Sequence, residues 1–326
     1  RSGSRTTWAA CGSSSTVGVG TTSTVGPVPT PLKDYIDGGV VDDLARRFAA
    51  VDDRFDAGGF VAATTPALDG LELKARIELI ARQLHAALGE DDEALIAAAV
   101  AVSRADPPVD GWAAWPVATV IELFGLADRD AALAGMEHVT KRMSCEFAVR
   151  PFLRDHFDAT YERLTTFTGH DDERVRRLPS EGTRPRLPWG MQVQRLIDDP
   201  APGLALLERL RHDPSETVLS SVAKHLNDVA KDHPELVVDT VARWSGESDT
   251  DRRMASHALR TLVKRGDPAA LEALGFTTDA HIEVDDFDVA PRHVGMGDHV
   301  TLNAVLRSTA TSTQRLVVDF VIHHVN

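Results

Sequence analysis

A repeated helical pattern fills most of this chain of 326 residues and limits what it can fold into. From Leu32 onward, alanine- and leucine-rich segments carry apolar residues at spacings of three and four, which is the pattern of amphipathic helices. Several breaks in the pattern put Asp or His before a Pro or an acidic first turn, as the start of a helix favours. The breaks read GHDDERVRRL from Gly169, RHDPSETVL from Arg211, KDHPELVV from Lys231 and RGDPAALEAL from Arg265.

These breaks recur at a spacing typical of helix pairs. ERVRRLPSEG from Glu173 aligns with ETVLSSVAKH from Glu216, a period of 43 residues, and VAKHLNDV aligns in turn with SHALRTLV. Periods near 40 residues are typical of HEAT-like repeats, in which each helix pair packs only on its neighbours. The sequence therefore predicts an all-α HEAT-like solenoid of about six helix pairs with a concave face.

The pattern changes after Phe276. The strings HVTLNAVL and QRLVVDFVIHHV alternate polar and apolar residues, which predicts β-strands. A β-sandwich needs about seven strands in ~100 residues, and only about fifty residues remain here. We therefore expect residues 280–326 to form part of a β-domain that stops before it is complete.

The other end of the chain has the composition of a leader. Residues 1–30 are rich in Ser, Thr and Gly and lack a basic start followed by an apolar core, so we predict a disordered leader rather than an export signal. No later apolar run approaches the ~20 residues that span a bilayer. Only Cys11 and Cys145 occur, far apart, which excludes a disulfide framework and favours a reducing compartment. We expect a cytoplasmic protein.

The charge is unevenly distributed. The chain carries a net charge of −14, yet residues 141–195 hold 11 Lys and Arg against 8 Asp and Glu. A locally basic face on an acidic protein is compatible with DNA binding, although a solvated helix face explains it as well. None of the thirteen histidines has metal-ligand spacing with nearby cysteines or acids, and no lysine-containing glycine loop for phosphates occurs. We predict no metal and no cofactor.

Three acids follow one rule of placement. Glu146, Glu181 and Asp228 each stand shortly before a proline, one in each of three successive repeats. They should therefore lie at similar heights, near the C-terminal ends of three neighbouring inner helices, where the helix dipole disfavours negative charge. We predict that they converge on one cleft. The alternative for each acid is a structural ion pair with an arginine, or solvent exposure.

Five motifs carry a resemblance to a known family. They are ELKARI (Glu72 to Ile77), KRMSCEFAVRPFL (Lys141 to Leu153), SEGTRPRLPW (Ser180 to Trp189), KHLNDVAKDHP (Lys224 to Pro234) and HALRTLVKRGDPAALEALGF (His257 to Phe276). In order and spacing they resemble AlkC-type DNA glycosylases, relatives of AlkD, over roughly residues 31–276. The resemblance implies HEAT-like repeats and cleavage of the N-glycosidic bond of cationic N3-alkylated bases in double-stranded DNA. It implies 3-methyladenine as substrate, with 3-methylcytosine as a second candidate.

The resemblance also implies roles for the three acids. AlkC-type enzymes have acidic active-site residues in the motifs EFAxRPF, EGTRPRLPW and HLND, where this chain has Glu146, Glu181 and Asp228. A carboxylate stabilises the positive charge that builds on the deoxyribose and orients a water molecule. A cationic base needs no general acid to leave. No lysine lies within the three acidic motifs themselves, EFAxRPF, EGTRPRLPW and HLND, which predicts a monofunctional enzyme.

Further residues of these motifs are candidates for contacts with DNA. Trp189 is predicted to contact the lesion or sugar, with packing between repeats as its alternative, whereas Trp112, Trp115 and Trp244 are predicted to pack only. The predicted phosphate contacts, each with an internal salt bridge as its alternative, are Arg150, Arg184, Arg186, Asn227 and Lys231.

The chain departs from the family pattern at three cations. Leu219, Ser220 and Ser256 stand where the family commonly has arginine, and each lost phosphate contact weakens binding and lowers its salt dependence. Some AlkC-type proteins carry an immunoglobulin-like domain after the repeats, which residues 280–326 resemble. We expect a monomer. The competing hypothesis is a non-catalytic HEAT-repeat protein that binds damaged or branched DNA or a protein partner.

Overall fold

The computed structural model describes residues 5–10, 15–18, 30–244, 246, 248–295 and 298–319. Three short 3-10 helices, at Leu32–Tyr35, Thr65–Leu68 and Gly111–Ala113, accompany the α-helices. The α-helices in these residues are α1 Gly38–Val51, α2 Ala57–Thr64, α3 Leu73–Ala87, α4 Asp92–Arg104, α5 Ala114–Phe124, α6 Arg129–Val139, α7 Val149–Asp155, α8 Phe157–Phe167, α9 Glu173–Gly182, α10 Gln194–Asp198, α11 Ala201–Leu210, α12 Glu216–Val229, α13 Pro234–Trp244, α14 Asp249–Ala258, α15 Arg260–Lys264 and α16 Pro268–Ala273.

The helices stack in rows, which confirms the predicted helical-repeat fold. In what we call the site row, α3 packs on α5 and α5 on α7, and further along α9 packs on α12 and α12 on α14. Beside it, α4 packs on α6 and α6 on α8, while α11 contacts α9 and α12, and α13 contacts α12 and α14. Each helix thus buries its apolar stripe against the next repeat.

Local sequence sets the helix boundaries. The side chain of Asp172 accepts a hydrogen bond from the backbone N–H of Arg174 at the start of α9, and Asp267 caps α16 through Ala270. In the break RHDPSETVL the cap is Ser215, which accepts from the backbone N–H of its own helix. These caps satisfy backbone donors that have no partner within the helix.

Two clusters of buried apolar side chains form the core. One extends from Ile36 to Leu206 and the other from Leu207 to Ala270. The two adjoining leucines of α11 belong to different clusters, so α11 joins them. The contact between α9 and α12, on which the candidate site stands, therefore lies where the clusters meet.

A small β-region completes the described fold, with strands β1 Arg5–Ala10, β2 Ser15–Gly18, β3 Ile282–Ala290, β4 Thr301–Ser308 and β5 Gln314–Asp319. All pairs are antiparallel: β4 lies between β2 and β3, and β1 pairs with β5. The predicted disordered leader is therefore wrong at residues 5–10 and 15–18, because unpaired strand edges of the C-terminal segment are satisfied there. The rest of residues 1–29 lie outside the described residues.

No helix in the described part of the chain has the length and apolar character needed to cross a lipid bilayer.

The contact between α4 and α6 gives a test of the packing. A Cβ added at Gly135 on α6 would lie 2.4 Å from Cγ2 of Val100, a side chain with one strongly preferred rotamer in a helix. We expect Gly135→Ala to lose about 1–3 kcal/mol by overpacking, which exceeds the helix-propensity gain of about 0.5–1 kcal/mol. Thermal melting followed by circular dichroism measures the loss.

Gly169→Ala is the matched control, because no heavy atom lies within 4 Å of its added Cβ. A Gly135→Ala protein that melts as high as the Gly169→Ala protein would contradict the packing described.

Candidate active site

The three predicted acids lie close together, but they do not all lie at the end of a helix. Glu181 lies at the end of α9 and Asp228 at the end of α12, as predicted. Glu146 lies in the segment before α7, and Pro151 stands in the first turn of that helix. The prediction of a helix C-terminus is therefore wrong for Glu146, because a proline in the first turn starts a helix rather than ending one.

Two arginines link the acids into a chain of alternating charge, which we call the carboxylate chain. Nη1 of Arg177 lies 3.0 Å from Oε2 of Glu146, and its Nη2 lies 3.2 Å from Oε2 of Glu181. Arg184 donates from Nη1 to Oε1 of Glu181 at 2.5 Å and from Nε to Oδ2 of Asp228 at 2.7 Å. The order is therefore Glu146, Arg177, Glu181, Arg184, Asp228.

The remaining carboxylate oxygens are unequally satisfied. Ser221 donates its hydroxyl to Oε2 of Glu181 at 2.6 Å, and Lys231 donates Nζ to Oδ1 of Asp228 at 2.7 Å. The hydroxyl of Ser144 donates to Oε2 of Glu146 at 2.9 Å. Among the described residues, nothing donates to Oε1 of Glu146. Glu146 is thus the acid with an oxygen available to a ligand.

The electrostatics keep Glu181 ionised. Burial alone would raise the pKa of its carboxyl, but the positive charges of Arg177 and Arg184, with the hydrogen bond from Ser221, outweigh it and hold the pKa below its usual value. A buried carboxylate that stays charged at neutral pH can stabilise a developing positive charge nearby.

A cleft of about 370 Å³ opens beside the carboxylate chain. Glu146, Glu181 and Arg184 line it, whereas Asp228 is absent from its wall and lies behind Arg184. The other walls are mostly apolar and consist of Trp115, Met143, Ser144, Phe147, Leu187, Pro188 and Trp189. Acids and aromatic rings thus share one concave surface.

Trp189 projects from an unusual turn at the mouth of this cleft. Its φ is +65°, in the left-handed region, and 67% of the residue is exposed. Lys74 of α3 donates Nζ to the carbonyl oxygen of Trp189 at 2.9 Å and lies 5.1 Å from the ring centroid of Phe147. The indole is therefore presented by the backbone rather than buried between repeats.

Two predicted phosphate contacts are inside the protein. Arg150 is fully buried and donates to the carbonyl oxygens of Gly182, Arg184 and Met191. Burial, with the nearby charge of Arg184, lowers its pKa to about 10. Asn227 is buried and accepts a hydrogen bond from the backbone N–H of Thr261. The structure contradicts a phosphate role for both, because their polar groups are used to hold backbone segments together.

The other three predicted phosphate contacts are engaged in ion pairs. Arg184 is buried between Glu181 and Asp228, and Lys231 pairs with Asp228. Arg186 donates to both oxygens of Asp232, at 2.7 and 2.6 Å, in a bidentate pair. Arg186 and Lys231 keep solvent-exposed atoms, so a phosphate contact stays a prediction for these two.

The comparisons with known proteins agree with this geometry. The chain is similar to a solved structure of the Pseudomonas fluorescens alkylpurine DNA glycosylase AlkC bound to DNA containing an abasic site analogue, with a TM-score of 0.79 and 31% identity, covering 87% of this chain and 79% of that chain. The chain belongs to the AlkC family.

Two further similarities bear on this AlkC-family chain. It is 36% identical over 203 residues to the uncharacterized protein YhaZ of Bacillus subtilis, which covers 62% of this chain, and it spans only 57% of that relative's length. Residues 283–326 match the family of the C-terminal Ig-like domain of the uncharacterised protein YhaZ. The predicted immunoglobulin-like character of the C-terminal segment is therefore confirmed.

Among the residues at the AlkC-family site that were not predicted from the sequence are Arg177, Trp115, Phe147 and Ser221. Arg177 stands four residues before Glu181 on one helix, a spacing that pairs opposite charges, so this signal was present in the sequence. Trp115 was predicted to pack only, but it lines the cleft. By contrast Trp244 is buried and donates to Glu208, as a packing role requires.

The carboxylate chain predicts unequal effects for two neighbouring arginines. Arg184→Gln removes one of the two cations paired with each of the buried carboxylates Glu181 and Asp228, and we expect it to cost up to about 3–5 kcal/mol of the free energy of unfolding. Arg186→Gln removes an ion pair at the surface and should cost at most about 1 kcal/mol. Urea unfolding followed by circular dichroism compares the two variants. Equal losses would show that the carboxylate chain is not the stabilising element described.

The buried His225 predicts a pH dependence of stability. Burial lowers its pKa to about 4, and its Nδ1 lies 2.8 Å from the carbonyl oxygen of Ser180. The unfolded ring takes up a proton near pH 6.5, so stability should fall as the pH decreases from 6.5 towards 4, by up to about 1.4 kcal/mol per pH unit. His225→Gln should show a shallower decline in melting temperature over this range. Parallel declines would exclude His225 as the cause.

Proposed function

We propose that this chain is a monofunctional DNA glycosylase that hydrolyses the N-glycosidic bond of cationic N3-alkylated bases, 3-methyladenine first and 3-methylcytosine second. The observation that carries the proposal is the carboxylate chain, with Glu181 held ionised and Glu146 keeping an open oxygen, at the edge of a cleft with aromatic walls. The solved AlkC relative, an alkylpurine DNA glycosylase bound to DNA, supports it.

The reaction needs charge stabilisation more than proton transfer to the base. As the bond between C1′ and the base nitrogen breaks, its electron pair neutralises the positive charge of the alkylated ring, and positive charge develops on the deoxyribose. Glu146 and Glu181, both on the cleft wall, stabilise that charge. Water oriented by Oε1 of Glu146 adds its oxygen to C1′, and its proton passes to the carboxylate and then to solvent.

The remaining cleft residues have supporting roles. The faces of Trp115, Phe147 and Trp189 attract a cationic ring more than a neutral one, which favours alkylated over undamaged bases. Asp228, behind Arg184, orients that guanidinium towards Glu181 rather than touching the substrate. A neutral leaving base would need a general acid that this site lacks among the described residues.

A non-catalytic function has one observation in its favour. Both oxygens of Glu181 and both oxygens of Asp228 are already paired within the protein, as in a purely structural ion-pair network. On this alternative the chain binds damaged or branched DNA, or a protein, without cleaving a bond. The open oxygen of Glu146 makes the enzyme the better proposal.

Release of 3-methyladenine from methylated duplex DNA tests the proposal. We expect Glu146→Gln and Glu181→Gln each to lower the single-turnover rate by about 100-fold or more, because an amide cannot stabilise the cationic transition state. Asp232→Asn, which removes an acid paired to Arg186 away from the cleft, should keep the wild-type rate. DNA binding is measured alongside at one fixed low salt concentration.

The outcomes separate the two functions. A folded wild-type protein that binds DNA and releases no base would leave the non-catalytic function standing. A nicked β-elimination product would overturn monofunctional chemistry and point to Lys74, whose amine lies beside the cleft.

A substrate with a neutral base gives an independent test of the chemistry. We expect no measurable release of hypoxanthine from inosine-containing duplex DNA, because hypoxanthine is uncharged and the cleft offers no proton to it. Release of hypoxanthine at a rate comparable to that of 3-methyladenine would contradict the proposed mechanism. A monomeric state and a cytoplasmic location stay predictions.

A further inference from the structure

Most of the cations predicted to contact DNA already have partners within the protein. Arg150 is enclosed, and Arg184 is buried between two acids. Protein–DNA affinity nevertheless depends on neutralising phosphates with exposed Lys and Arg. If this chain acts on DNA, exposed cations that have no acidic partner in the described fold are the best candidates for further phosphate contacts.

Lys224 on the site row and Arg260 just after it are two such cations. Lys224 on α12 is exposed and stands four residues, about one turn, before Asp228. Arg260 at the start of α15 is also exposed. Neither side chain forms a hydrogen bond or an ion pair with the rest of the described chain. A phosphate could pair with either one without displacing an internal partner.

His257 of α14 lies close enough to both cations for their charges to act on its ring. Its ring is half-buried, and its pKa is lowered first by burial and then by the positive charges of Arg260, Lys224 and Arg184. The ring is therefore neutral at pH 7, and it can still donate an N–H. The same three positive charges act on it from α12, α15 and the carboxylate chain.

The surface around His257 is concave. Two grooves, of about 180 and 670 Å³, share Arg253 and His257. The larger groove includes Arg260 and opens between α14 and α15, and the smaller one lies between α12 and α14. A groove that continues along the site row suits an extended polyanion better than a single small anion.

The balance of charge on these walls is positive. Arg252 lies 2.5 Å from Asp249 and Arg253 lies 3.2 Å from Glu216, which accounts for both acids of the grooves. The positions without the expected arginine, Leu219, Ser220 and Ser256, line the same two grooves. The uncompensated positive charge on the walls therefore rests on Arg260, and Lys224, next to Ala223 of the smaller groove, adds a second charge beside them in a chain whose net charge is −14.

We propose that Lys224, His257 and Arg260 form a phosphate-binding surface that holds the backbone of duplex DNA beside the carboxylate chain. This inference rests on the proposed function, since it assumes that DNA is the substrate. The one-turn separation of Lys224 from Asp228 puts the surface next to the Asp228 end of the carboxylate chain.

The test is the salt dependence of binding to an undamaged duplex, measured by fluorescence anisotropy of a labelled oligonucleotide. We expect the Lys224→Gln/Arg260→Gln double variant to lower the slope of log Kd against log salt by about 2, since each lost phosphate contact removes about 0.9. His257→Ala should weaken binding and leave the slope unchanged, because the ring is neutral at pH 7.

Arg104→Gln/Arg209→Gln is the matched control. It removes the same total charge from two exposed arginines of α4 and α11, outside the site row, which make no ion pair within the described residues. We expect its slope to equal that of the wild type. The proposed surface would be overturned if the two double variants had the same slope of log Kd against log salt.

Base release measured on the same proteins separates this inference from the proposed function. Wild-type protein that binds DNA and loses slope only in the Lys224→Gln/Arg260→Gln variant, but releases no 3-methyladenine, would support the surface and overturn the glycosylase. Wild-type protein that releases 3-methyladenine while the variant keeps the full slope would support the glycosylase and overturn the surface.

Discussion

The rest of the site depends on one constraint, the burial of two carboxylates at the contact between α9 and α12. Glu181 and Asp228 are almost fully buried, and buried charge is stable only when it is paired and hydrogen-bonded. Arg184 supplies a cation to both, and Arg177 extends the pairing to Glu146. The two repeats therefore pack closely while every one of these buried charges is paired. Their packing in turn fixes the position of the acids at the cleft.

Buried and exposed cations also hold the loop that carries Trp189. Arg150 donates hydrogen bonds to three carbonyl oxygens of the segment between Gly182 and Met191. Lys74 donates one to the carbonyl oxygen of Trp189. A guanidinium with its donors in a rigid fork suits such a task. The aromatic wall of the cleft is thus held by main-chain contacts from distant helices. This explains why the motif ELKARI, far from the acids in sequence, belongs to the site.

The location of each cation, buried or exposed, matters more for DNA binding in this protein than the net charge. Inside the site row, arginines neutralise acids and order a loop, and they are unavailable to an external polyanion. On the surface of α12 and at the start of α15, Lys224 and Arg260 are exposed and have no acidic partner among the described residues. A net negative charge is therefore compatible with binding DNA, because only the cations left exposed beside the cleft determine where phosphates bind.

The sequence by itself determined the local features: helices from the apolar spacing, caps such as Asp172 and Asp267, the C-terminal strands, and the motifs that contain the three acids. Even the pairing of Arg177 with Glu181 follows from a four-residue spacing. Only the tertiary structure decided that Trp115 lines the cleft, that Arg150 is enclosed, and that strands near the beginning pair with β4 and β5. The physical reason is that these outcomes depend on contacts between segments tens of residues apart. Local periodicity and spacing carry no information about which neighbour a side chain meets across a packed helix.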